Sequence, residues 1–111
     1  MTVTSKPIIT AAYASNAETT EYTASSGMRT IIDKFTGYNG TGGAVTLTVK
    51  LVPSGGSAAA TNIIVSKSIA AGVTEAFPEL VGHVLEPGGF ISVLASAATS
   101  IVRRCSGREV T

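Results

Sequence analysis

From Ala44 to Val52 the side chains alternate strictly, with Val45, Leu47, Val49 and Leu51 on one side and Thr46, Thr48 and Lys50 on the other. Successive strand residues point to opposite faces, so this run predicts a β-strand with one wall in an apolar core and the other toward water. Thr30 to Tyr38, just upstream, is again β-branched and aromatic. Between them Asn39-Gly40-Thr41-Gly42-Gly43 supplies residues that tolerate positive φ, and the unit is predicted to be a hairpin. Further strands are expected at Ile8 to Tyr13, Thr61 to Lys67, Val73 to Phe77, Phe90 to Ala95 and Ile101 to Val110, with a short extended piece at Glu21 to Thr23. Gly- or Pro-containing turns separate most of them. Short strands at such spacing predict an all-β fold, an antiparallel sandwich or barrel rather than βαβ units.

Two segments depart from the alternation. Pro78 to Leu85 begins with proline and spaces Leu80, Val81, Val84 and Leu85 in a helix-like way, which predicts one helical turn or a compact plug at the end of the sandwich. Met1 to Lys6 is polar and β-branched with no partner in sight. It reads as an extended N-terminal arm, mobile or pinned by a neighbour, closed by Pro7. Residues 7 to 111 then form a single domain, since 111 residues are too few for two ordinary cores.

Charge removes several function classes. Eight basic and seven acidic residues give a net charge of +1, which offers no electrostatic case for nucleic acid or an anionic membrane. No apolar run approaches the roughly 18 residues of a membrane-spanning helix. Charged residues are only 14% of the chain, so small neutral side chains must cover much of the surface, a composition that suits packing against copies of itself or a larger assembly.

Site chemistry is sparse. The single cysteine, Cys105, excludes an internal disulfide and sits in a candidate strand, where a buried thiol is expected. With the one histidine, His83, it makes two potential zinc ligands against the four of a structural site. The carboxylates are scattered, and the Gly-rich stretches lack the Lys-Ser/Thr ending of a phosphate-binding loop. No catalytic residue, metal or cofactor is therefore expected, and the chain is not read as an enzyme. Asn39-Gly40-Thr41 matches a glycosylation acceptor but is read as a turn.

The features left over are contact features. Arg103, Arg104 and Arg108 form the one charge cluster; on a strand Arg104 and Arg108 share a face and Arg103 takes the other. They read as a basic edge for an acidic partner, or as charge that discourages unwanted strand pairing. Ile8 and Ile9 beside the polar arm suit ordering against a neighbour, and Tyr13, Tyr22 and Tyr38 could form a contact surface or sit in the core with the hydroxyl at the rim. The candidate partner-contact residues are thus Ile8, Ile9, Tyr13, Arg103, Arg104 and Arg108.

The stretches RTIIDKFTGYN, AVTLTVKLVPSGGS, SIAAGVTEAFPELVGHVLEPGGFISVLAS and IVRRCSGREVT, within Tyr22 to Thr111, resemble small virion proteins of tailed bacteriophages. Within that group the resemblance is to capsid cement or decoration proteins, jelly-roll-like sandwiches on the outside of an icosahedral shell. It implies that the fold is an antiparallel β-sandwich of jelly-roll-like type, and that the chain is a homo-oligomer made in the host cytoplasm that binds the major capsid protein on the capsid exterior and stabilises the assembled particle. Similar modules occur in tails and tail fibres, where loop tips such as Asn39 to Gly43 would meet a receptor sugar. The resemblance carries over no catalytic residues.

Overall fold

The computed structural model describes all residues, Met1 to Thr111, as nine strands: β1 (Val3–Tyr13), β2 (Thr19–Thr23), β3 (Arg29–Asn39), β4 (Val45–Val52), β5 (Ile63–Ile69), β6 (Thr74–Ala76), β7 (Val84–Leu85), β8 (Phe90–Ala95) and β9 (Ile101–Val110). The first sheet runs β1-β9-β3-β6, with β7 also paired to β3; the second runs β2-β8-β4-β5. All pairings are antiparallel. Apart from the small β7, this is the strand order of a jelly roll: the spacing of short strands predicts a sandwich or barrel, and the resemblance implies the jelly-roll type.

The two sheets close on one apolar layer. Alternation places Val45, Leu47 and Val49 of β4, Ile91 and Val93 of β8, and Ile101 and Cys105 of β9 in a continuous core, and a register shift between Ile32 and Lys34 brings both Ile32 and Phe35 of β3 into it. Phe35 meets Phe77 edge to face, with ring centroids 5.1 Å apart, a favoured aromatic geometry. Leu51 lies on the same face but is only half buried, because β4 ends there. Val52 faces outward and is nonetheless buried, because Gly56 of the turn after Pro53 folds back over it.

Two expectations change and a third is refined. β3 and β4 do not form a hairpin: they lie in different sheets, and residues 40 to 44 carry the chain across the sandwich. Asn39 fixes that corner, its buried side-chain amide donating to the carbonyls of Gly43 and Ile69 at 2.8 Å each. An amide so engaged is also closed to glycosylation. The predicted arm is part of β1, with Val3 to Lys6 paired to Val110 to Gly107. Pro7 does not end the strand because β1 is a sheet edge, where a missing N–H need cost no ladder bond. The Pro78 to Leu85 plug resolves into a 3-10 turn, Pro78–Leu80, whose Leu80 is fully buried, followed by β7.

Candidate interaction surface

Of the predicted contact residues, Ile8, Ile9 and Arg103 face inward and cannot serve a partner. Ile8 and Ile9 are 8% and 3% exposed although they are consecutive, because a register shift between Pro7 and Ile9 breaks the alternation of β1. Ile8 fills the space over Gly107 of β9, where a β-carbon would collide with Ile8 Cδ1 and the Ile31 carbonyl.

Arg103 is a structural rivet. Its Nε donates to Glu21 of β2 at 2.7 Å, and Nη1 donates to the Thr10 and Ala12 carbonyls of β1 at 3.0 and 2.9 Å. One guanidinium thus ties the irregular part of β1 to the opposite sheet. Removing the carboxylate would leave a buried cation without its counter-charge, a situation that costs about 3 to 5 kcal/mol. Glu21→Gln is therefore expected to lower stability by a few kcal/mol in a urea melt, whereas Glu75→Gln, which breaks no ion pair, is expected to leave it unchanged.

Two more polar links join the sheets or brace their strands. Tyr22 Oη of β2 donates to Glu109 at 2.6 Å and meets the Thr30 hydroxyl at 2.7 Å, while Lys6 reaches Glu109 at 3.3 Å. The Tyr22 hydrogen bond holds the Glu109 carboxyl below its usual range, helped by the Lys6 charge. Burial, with the neighbouring Glu109 carboxylate, pushes Tyr22 up to about 12. On the outer face of the second sheet, Glu18 accepts hydrogen bonds from Lys50 and Ser92. Burial pushes the Glu18 carboxyl up, but those bonds and the Lys50 charge more than offset it, leaving it lowered. Lys50 is therefore not a free surface residue on the polar face of β4. Burial, with the Asp33 charge, likewise pushes the Cys105 thiol up to about 12.

These shifts set a pH dependence. Tyr22 and Cys105 have folded values raised above their ordinary values of 10.0 and 9.0, so their neutral forms favour the fold. That contribution is complete below about pH 9 and is lost as pH rises toward 12. Glu18 and Glu109 are lowered, so theirs is present above the ordinary carboxylate value and lost as pH falls through the folded ones. Denaturant midpoints between pH 6 and 12 are expected to decline from about pH 9, and Tyr22→Phe is expected to flatten part of that decline.

The outer face of the first sheet is different. Tyr13, Val102 and Tyr38 are directly paired across β1, β9 and β3 and form one row on this face, with Tyr13 56% and Tyr38 44% exposed. The Tyr38 ring lies against Gly40, with Cε2 3.2 Å from the position of a Gly40 β-carbon. One step along, Arg104 sits opposite Thr36 and Lys34 opposite Ser106, making the two cations diagonal neighbours. Arg108, farther along the same face, is held by Asp33 at 2.9 Å. Alternation along β9 correctly separates Arg104 and Arg108 from Arg103. Sequence reading offered Tyr38 with Tyr13 as a contact surface but missed Val102 and Lys34, because the adjacency of all four rests on β9 inserting between β1 and β3.

Elsewhere the surface offers less. Two shallow depressions of about 220 and 260 Å³ lie near Leu51 and Val84 and near Arg29 and Thr111, below the roughly 300 to 1,000 Å³ of small-molecule sites. No group of three or more His, Cys, Asp or Glu residues is placed to hold a metal ion, and no helix is long and apolar enough to cross a membrane. The long sheet edges are guarded: β1 carries Lys6, Pro7 and two register shifts, and β5 turns Lys67 inward over the Phe77 ring and onto the Ala76 carbonyl. Such features oppose pairing of an edge with another strand.

No known protein family and no curated protein matches this sequence. Among solved structures, a chain described under "Bacillus endospore appendages form a novel family of disulfide-linked pili" matches over 99% of this chain and 88% of its own, with a TM-score of 0.57 and 15% sequence identity. The likeness is one of fold. It does not extend to cross-linking chemistry, since Cys105 is 1% exposed and no other thiol is present in this sequence.

Proposed function

We propose that this chain is a non-enzymatic structural subunit of a large extracellular assembly, and within that class a virion protein of a tailed bacteriophage that binds the assembled capsid from outside. The observation that carries the first step is a jelly roll matched almost end to end by a chain from an assembled bacterial appendage. The second step rests on the resemblance of Tyr22 to Thr111 to capsid cement and decoration proteins. A protein in this role acts by contact: it stabilises the assembled shell to the extent that it binds the shell better than free subunits. The charge pattern suits the role, because Arg29, Lys67 and Arg108 on the surface are matched by Glu86, Glu79 and Asp33 of the same chain.

A tail or fibre module is the second reading, favoured by the filamentous nature of the pili in that match. In it the Asn39 to Gly43 corner would contribute Thr41 and the glycines to a receptor contact, since Asn39 itself is buried. Fluorescently labelled chain mixed with separated capsids and tails distinguishes the two. Capsid binding is the expected result. Binding to tails alone would replace the capsid reading with the second one, and binding to neither would overturn both.

A further inference from the structure

Six of the seven carboxylates of this chain are already engaged: Glu18 with Lys50, Glu21 with Arg103, Asp33 with Arg108, Glu79 with Lys67, Glu86 with Arg29 and Glu109 with Lys6. The same pairs use six of the eight basic side chains, and the two left over, Lys34 and Arg104, are diagonal neighbours on the outer face of the first sheet. Both are exposed. They lie beside the Tyr13, Val102 and Tyr38 row, and tyrosine and arginine are residue types that dominate the energetics of protein interfaces.

We propose that this face, centred on Tyr13, Val102, Tyr38 and Arg104 with Lys34 beside them, docks an acidic surface of a partner protein other than a second copy of this chain. The inference rests on the structural role proposed above and names the chemistry of its partner. A second copy is a poor occupant, because Glu75 is its one carboxylate outside an ion pair and face-to-face pairing would oppose like charges. A glycan or small ligand is a poor one because both depressions of the surface lie elsewhere. Nucleic acid is disfavoured by a net charge of +1 and only two free cations.

The test uses nitrogen-15-labelled full chain titrated with three probes: a random copolymer of glutamate and tyrosine, polygalacturonate, and a single-stranded oligothymidylate. The copolymer is expected to shift the amides of Tyr13, Val102, Arg104 and Tyr38, to weaken with salt, and to bind about tenfold less tightly to K34E/R104E. That variant is expected to melt with the native chain, since neither side chain supports the fold. Shifts mapping elsewhere, undiminished binding to K34E/R104E, or tighter binding of either other probe would overturn the proposal. So would a concentration-dependent dimer in sedimentation that Tyr13→Ser with Tyr38→Ser abolishes. If K34E/R104E still joins capsids as the native chain does, the docking face is wrong while the structural role stands; if the native chain itself never joins them, the capsid role fails instead.

Discussion

Val49→Asp is expected to abolish folding. Val49 is fully buried in β4, paired with Val65 of β5 and Val93 of β8, both apolar and themselves buried. The substitution forfeits the burial of a valine, on the order of 1.5 to 3 kcal/mol, and adds the larger cost of a carboxylate with no partner. Together these reach about 5 kcal/mol or more, against a total stability of about 5 to 15 kcal/mol for a domain. The control is Ser66→Asp at an exposed position of β5, where a carboxylate can still accept from the Thr48 hydroxyl, expected to fall within about 0.5 kcal/mol of the native chain. Circular dichroism and a urea melt read both. Lys50→Asp, a mild change if Lys50 faced only water, is instead expected to destabilise, because it sets a second carboxylate against Glu18.

Gly107→Val is expected to be the next most damaging change. The residue lies inside β9 between β1 and β3, and any β-carbon there runs into Ile8 Cδ1 on one side and the Ile31 carbonyl on the other. Ile8 can shift its side chain, but the carbonyl is backbone in a paired strand and cannot yield without disturbing the ladder. Overpacking of this kind costs about 1 to 3 kcal/mol, and more where backbone must move. The melting temperature is expected to fall by ten degrees or so in a domain of this size. Pairing the change with Ile8→Ala is expected to recover only part of the loss, because the clash with the carbonyl remains; full recovery would mean that β9 can move away from β3.

The strands themselves were legible because their cause is local. Alternation around Val49 and along Ile101 to Val110 depends only on which residues share a face, and it set Arg103 on the face opposite Arg104 and Arg108, although only the structure shows that Arg103's face is the buried one. Sheet membership is not local. Asn39 to Gly43 has the composition of a hairpin turn, yet whether such a turn reverses the chain within one sheet or carries it to the other is decided by which strands take the neighbouring positions. Here β9, more than sixty residues downstream, takes the place beside β3 that a hairpin would have given to β4. The same insertion created the exposed row on the outer face, since it brings Tyr13 and Tyr38 to either side of Val102. Ile8 and Ile9 were misread for another reason: two consecutive inward side chains need a break in the ladder, and a period of two gives no sign of one.

The most direct test of the structural role is a heat challenge of particles assembled with and without this chain. Particles lacking it are expected to form but to release their contents at a lower temperature, with purified chain restoring the native threshold when added back. Identical thresholds with and without a chain that is bound to the capsid would contradict a stabilising role.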